Sequence, residues 1–192
     1  MSTLIPFAGL SPVPWKNGGG STTEIAIAPP DALFDEFEWR VSLATIAADG
    51  PFSQFPGVDR TLVLVEGHGV TLDFEDGERM LVCEDEPLAA FPGETRVDAK
   101  LNRGATTDFN VMTRRERCHH EFGRRVLAGT STFAPRGDVT VLFLAQGDSL
   151  TVSNDAERIG MVRFDALVFD GDALWTLEAV QAEIFIVDIF YE

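Results

Sequence analysis

Leu62–Gly93 reads LVLVEGHGVTLDFEDGERMLVCEDEPLAAFPG, and its punctuation is that of a β-meander. An apolar run ends at Gly67, an alternating segment runs from Gly69 to Phe74, and Asp76-Gly77 turns the chain into Arg79–Val82. A last apolar run, Leu88–Phe91, stops at Pro92-Gly93. Side chains of a strand alternate between faces, so period-two segments divided by Asp-Gly and Pro-Gly turns read as consecutive antiparallel strands. The same skeleton recurs at Val141–Gly171, VLFLAQGDSLTVSNDAERIGMVRFDALVFDG. The separation drops from 80 (Gly67 to Gly147) through 79 (Glu78 to Glu157) to 78 (Gly93 to Gly171). Matching glycines and the shared Glu-Arg pair favour an internal duplication over the plainer reading that two β-meanders look alike.

Outward from this core, Glu38–Ile46 (EWRVSLATI) alternates Trp39, Val41 and Leu43 with Arg40, Ser42 and Ala44, which predicts a half-buried strand. Thr61–Val65, Arg96–Leu101 and Asp108–Met112 add further strands at intervals of about 8–12 residues, the spacing of an all-β sandwich or barrel. Asp31–Phe37 is the one helix candidate of note, too short to organise a fold. The order of strand, glycine turn, hairpin, acidic turn and Pro-Gly turn is that of a cupin, a double-stranded β-helix. Two such halves predict a bicupin with little helix, residues 1–116 forming the N-terminal half with an N-terminal crossover and 117–192 the C-terminal half. Thr61–Leu101 and Thr140–Leu177 are then expected to superpose.

Across its 192 residues the chain carries 31 Asp and Glu against 15 Lys and Arg, a formal charge of −16 that opposes binding to nucleic acid or anionic membranes. Two cysteines, Cys83 and Cys118, suit a reducing compartment and form neither a disulfide framework nor a Cys-x-x-Cys metal motif. The N-terminus has no basic region and meets prolines at positions 6, 12 and 14, unlike a signal peptide, and no apolar run is long enough to span a bilayer. A cytoplasmic protein is expected, without nucleic-acid or membrane partners. Its oligomeric state is open, a homodimer being one reading.

Metal-binding cupins use a His-x-His pair, a Glu and a further His. Counting from Gly67 and Pro92-Gly93, the corresponding positions fall near Ser53, Phe55, Arg60 and Arg96, and none is a ligand of that kind. His68, His119 and His120 lie elsewhere, so the expectation is a barrel with no metal and no cofactor. Arg60 in place of a carboxylate reverses the local charge and points to an anionic ligand, because guanidinium stays ionised and forks onto carboxylates. Arg40 and Ser42 share a polar strand face that could line the same cavity, as could Asp108, Asn110 and Met112. The alternatives are an internal ion pair for the arginines and a structural hydrogen-bond network for Asp108 and Asn110. Arg117-Cys118-His119-His120 lacks metal-ligand geometry, and no nucleophile motif is present.

Three stretches resemble the HutD/Ves family: PWKNGGGSTTEI (Pro14–Ile25), EWRVSLATIAADGPFSQFPGVDRTL (Glu38–Leu62) and TTDFNVMTRR (Thr106–Arg115). The C-terminal half, from about Arg117, matches in pattern alone. The resemblance implies a bacterial bicupin and, for HutD members, an association with histidine utilisation. It strengthens Lys16, Asn17 and Glu24 as site residues beside the glycine run Gly18–Gly20, which lacks the order of a phosphate-binding loop. Three functions follow as expectations. The leading one is a non-catalytic binder of a small anionic metabolite of histidine breakdown, such as urocanate, N-formimino-L-glutamate or N-formyl-L-glutamate, that modulates the pathway. The others are a metal-free enzyme on such a substrate, with Glu24 or Asp108 as acid or base, and a stress-related protein of the Ves type.

Overall fold

The computed structural model describes residues 1–33 and 35–192, and among them are seventeen strands, one 3-10 turn and no α-helix. The helix expected over Asp31–Phe37 is absent from the described residues there, which form turns, and Phe34 lies outside them. No helix is long and apolar enough to cross a membrane. Two compact units are present: Ser11–Cys118, and Met1–Leu10 together with His119–Glu192.

Strand β1 (Ser2–Ile5) opens the chain and pairs antiparallel with Ala166–Phe169 of the C-terminal unit. The sequence alone places the first ten residues in the N-terminal half, whereas they group with His119–Glu192. Their backbone hydrogen bonds complete an edge of the other unit.

The N-terminal unit comprises β2 (Val13–Pro14), β3 (Gly20–Ala28), β4 (Trp39–Ile46), β5 (Gly50–Pro51), β6 (Val58–Glu66), β7 (Val70–Phe74), β8 (Arg79–Val82), β9 (Leu88–Pro92), β10 (Val97–Leu101) and β11 (Thr106–Arg114). One sheet has the order β2-β3-β4-β11-β6-β9, the other β5-β10-β7-β8. Leu62, Ala89 and Phe91 of the first pack with Val70, Leu72, Phe74, Val97 and Ala99 of the second into one apolar cluster, giving a closed, barrel-like pair of sheets. β4 departs from the half-buried expectation. Trp39, Val41 and Leu43 are buried as fully as Arg40, Ser42 and Ala44, so its alternation separates apolar from polar interior and not core from solvent.

In the C-terminal unit β12 (Cys118–Phe133), β13 (Val139–Gln146), β14 (Ser149–Ser153), β15 (Arg158–Val162), β16 (Ala166–Phe169) and β17 (Trp175–Tyr191) form one sheet with β1. β13 pairs with β16 and with the C-terminal part of β17, while β14 pairs with β15 and with the N-terminal part of β17. In the N-terminal unit β6 pairs with β9 and β11, and β7 with β8 and β10. The long β17 thus holds both pairings that β10 and β11 share. Gly67 and Gly147 occupy matching turns with φ of +90° and +107°, and a Cβ on either would lie 2.6 Å from a carbonyl oxygen, that of Ala105 or Gln181. A side chain is excluded at both by backbone conformation and by space.

Candidate functional site

Register along the six-stranded sheet sorts its inward side chains into rows, because residues directly opposite across antiparallel strands share a face. Met112 on β11 lies opposite Arg40 on β4 and Arg60 on β6, and Arg60 lies opposite Phe91. One row on, Asn110 lies between Ser42 and Leu62, with Glu24 beyond Ser42. In the third row Asp108 lies between Ala44 and Leu64. Arg40, Ser42, Arg60, Asp108, Asn110 and Met112 are all buried. Seven residues picked from sequence, Glu24 with these six, therefore share one sheet face.

Arg60 is 7% exposed, and its guanidinium lies 5.3, 5.4 and 5.1 Å from the ring centres of Phe52, Phe55 and Phe91. The cage of three aromatic faces favours a cation and sheds water. Hydrogen bonding inside it is thin. Nη1 donates to the Ser53 carbonyl at 3.4 Å, Nη2 donates to Asn110 Oδ1 at 3.4 Å, and Nε has no partner. Burial first, and the nearby Arg40 charge second, lower the Arg60 pKa to about 10, which still leaves it ionised at neutral pH.

Ser42 Oγ and both carboxylate oxygens of Asp108 also lack a hydrogen-bond partner within the chain. Burial pushes the Asp108 carboxyl up to about 7. Buried polar groups in folded proteins are overwhelmingly satisfied, since each orphan costs about 1–3 kcal/mol. Ser42, Arg60 and Asp108, each with at least one unpartnered polar atom, thus lie on one wall of one barrel.

The remaining sequence candidates separate by location. Arg40 Nε donates to Glu24 Oε2 at 2.8 Å, so these two form an ion pair at the margin of the wall. Lys16 and Asn17 are exposed in the turn between β2 and β3, where Asn17 Oδ1 accepts from the Gly19 amide at 3.0 Å. No contact brings either to Arg60. Ser53 contributes its carbonyl and not its hydroxyl, and Arg96 is exposed. The aromatic cage escaped the sequence reading. Its signal was the pair of phenylalanines, Phe52 and Phe55, flanking Ser53 shortly before Arg60.

Arg60, its phenylalanine rings and Met112 supply no ligand for a divalent cation, and among the described residues Asp108 is the one buried carboxylate on this wall. Among the described residues no group of three or more His, Cys, Asp or Glu is placed to hold one. Cys118 is buried, with its Sγ donating to the Glu38 carbonyl, while His119 stacks on Phe190 at 5.1 Å.

The matching rows of the C-terminal unit are chemically different. Thr140 pairs with Phe169 and Asp188, the places that Phe91 and Met112 hold beside Arg60. Thr140 Oγ1 donates to Asp188 Oδ1 at 2.6 Å, and Arg136 Nε donates to Asp188 Oδ2 at 3.0 Å. Leu142 with Ile186 and Leu144 with Ile184 then fill the next two rows as core. A surface hollow of about 670 Å³ beside Gln146, Asp148 and Glu183 is lined by no orphaned polar group, and Glu183 is already paired with Arg124.

Fold and site together define an all-β protein of the cupin type whose N-terminal barrel carries a buried cationic wall. The sequence model of the HutD family matches residues 8–187, and the chain belongs to that family. It is 33% identical over 180 residues to a 21.2 kDa protein of the hutC 3′ region in Pseudomonas putida, covering 92% of this chain and 91% of that protein. Protein Ves of Escherichia fergusonii is 40% identical over 127 residues, 65% of this chain and 64% of Ves, so the match spans less than two thirds of that relative. Among solved structures, a conserved protein of Pseudomonas aeruginosa PAO1 superposes with a TM-score of 0.89 at 29% identity over 99% of both chains. HutD from Pseudomonas fluorescens SBW25, in a formate condition, gives 0.83 at 26% over the whole of both. A pirin from Escherichia coli in complex with nickel(II), 11% identical over 98% of each chain with a TM-score of 0.70, shares the fold.

Proposed function

We propose that this protein is a metal-free bicupin that binds a small anionic metabolite of histidine catabolism in its N-terminal barrel and thereby modulates histidine utilisation in the cytoplasm. Urocanate, N-formimino-L-glutamate and N-formyl-L-glutamate are the candidates. The observation that carries the reading is Arg60, charged and buried in an aromatic cage with Nε unpartnered beside Asn110. A buried guanidinium lacking a carboxylate is stabilised by one brought in by a ligand, with charge-assisted and bidentate bonds. The names of the relatives, HutD and a protein of the hutC 3′ region, supply the pathway. The shared strand pairing and the matched glycines at 67 and 147 support duplication as the origin of the two units. Apolar and self-paired rows in the C-terminal unit favour a single site.

One observation favours catalysis as a second reading. Asp108, with a pKa near neutrality and no partner, could take or give a proton at a bound substrate. Calorimetric titration with each of the three metabolites, beside mass spectrometry of the incubated mixture, separates the two. Saturable binding without turnover is expected. Turnover would establish the enzyme, and absence of binding by all three would refute the ligand class.

A further inference from the structure

Arg60 and Asp108 are opposite charges on one barrel wall that do not meet. Arg60 Nε and both Asp108 oxygens are unpartnered, and no ion pair joins them. Same-face neighbours along a strand are about 7 Å apart. Arg60 Nη2 reaches the Asn110 row, which leaves Asp108 one row further along β11, with Ser42 Oγ opposite Asn110 between them. Ala44 and Leu64, which flank Asp108, have no side-chain donor to offer it.

We infer that Asp108 and Ser42 form a second pole of the site, one that accepts a hydrogen bond from the ligand. The ligand class is then a small acid carrying an N–H donor a few bonds from its carboxylate, and not a simple carboxylate. The inference rests on the anion-binding reading of Arg60 and adds to it. Polarity along the wall also orients the guest. Its carboxylate is drawn to Arg60 and repelled by Asp108, while its N–H satisfies a carboxylate that otherwise lies buried without a donor.

The test uses ligand pairs whose second member lacks the N–H donor: urocanate against 3-(furan-2-yl)acrylate, and N-formyl-L-glutamate against its N-methyl derivative. Each is titrated calorimetrically into the full chain at pH 8, where Asp108 is ionised. Wild type is expected to favour the N–H member of the pair it binds by about 10-fold or more, the range for a hydrogen bond to a charged group. Asp108→Leu should bring that ratio to near one, Asp108→Asn should reduce it, and Ser42→Ala should shrink it less. Arg60→Ala should weaken both members and leave the ratio intact. Equal affinity for both members in wild type, or a ratio that survives Asp108→Leu, overturns the second pole while a loss in Arg60→Ala keeps the anion site. Binding indifferent to Arg60→Ala overturns the anion site itself. Should Asp108→Leu fail to fold, the wild-type ratio and Asp108→Asn decide, and no binding by any probe overturns both.

Discussion

Asp108→Asn should stabilise the ligand-free protein at pH 8 and remove a pH dependence that wild type shows. Burial raises the folded-state pKa of Asp108 from 3.8 to about 7, so between these values the native state holds a proton that the unfolded chain has released. Stability from this group is therefore fully present below pH 4, falls as pH rises through the window, and levels off above 7. A difference of about 3 pKa units corresponds to about 4 kcal/mol. Asp73, Glu94 and Asp170, which ion pairs hold below the usual carboxylate range, slope the other way at lower pH, but they do so in both proteins. The difference between variant and wild type thus isolates Asp108. Urea unfolding followed by tryptophan fluorescence at pH 4.5, 6 and 8 should show the variant gaining on wild type with each step. Parallel stability across that range would mean that Asp108 is hydrated or paired, and the orphaned-wall argument would fail with it.

The turn glycines give a second prediction: Gly67→Ala and Gly147→Ala each place a Cβ 2.6 Å from a carbonyl at positive φ, and each should cost about 2 kcal/mol or more, read as a melting temperature lower by about 4 °C or more. Unchanged melting in both would contradict the backbone described. Arg136→Ala strips the Nε and Nη2 bonds from buried Asp188 and should lower stability in urea unfolding. Calorimetry of that same variant should show metabolite binding unaltered, because the proposed site lies in the N-terminal barrel.

Much of the architecture is written in short-range signals. β7, β8 and β9 lie within a residue of the segments that alternation and Gly or Pro turns marked out, since those signals are local. Alternation also put Arg40 with Ser42, and Asp108 with Asn110 and Met112, on common faces. Which face looks inward was not legible for β4, because both of its faces are buried and hydropathy gives them no contrast. Long-range pairing was equally hidden. Nothing in Ser2–Ile5 tells that its partner is Ala166–Phe169 and not a neighbour in sequence. The site was half visible for the same reason. Arg60 stood out by replacing an expected ligand, whereas the ring cage of Phe52, Phe55 and Phe91 depends on β9 lying beside β6. Lys16 and Asn17 were raised by a motif resemblance, and their exposure in the β2–β3 turn leaves them away from the orphaned wall.

The central claim is that the Arg60 guanidinium, caged and incompletely bonded, receives a ligand carboxylate. Its most direct measurement is calorimetric titration of urocanate, N-formimino-L-glutamate and N-formyl-L-glutamate into wild type, Arg60→Ala and Arg60→Lys, with Arg96→Ala as an exposed control and melting curves to confirm folding. Truncating one partner of a buried charge pair costs about 2–5 kcal/mol, so Arg60→Ala should weaken binding by about 30-fold or more. Lysine should restore part of that loss, because a point charge cannot reproduce the fork, and Arg96→Ala should match wild type. Equal affinity in wild type and in a folded Arg60→Ala variant would contradict the account.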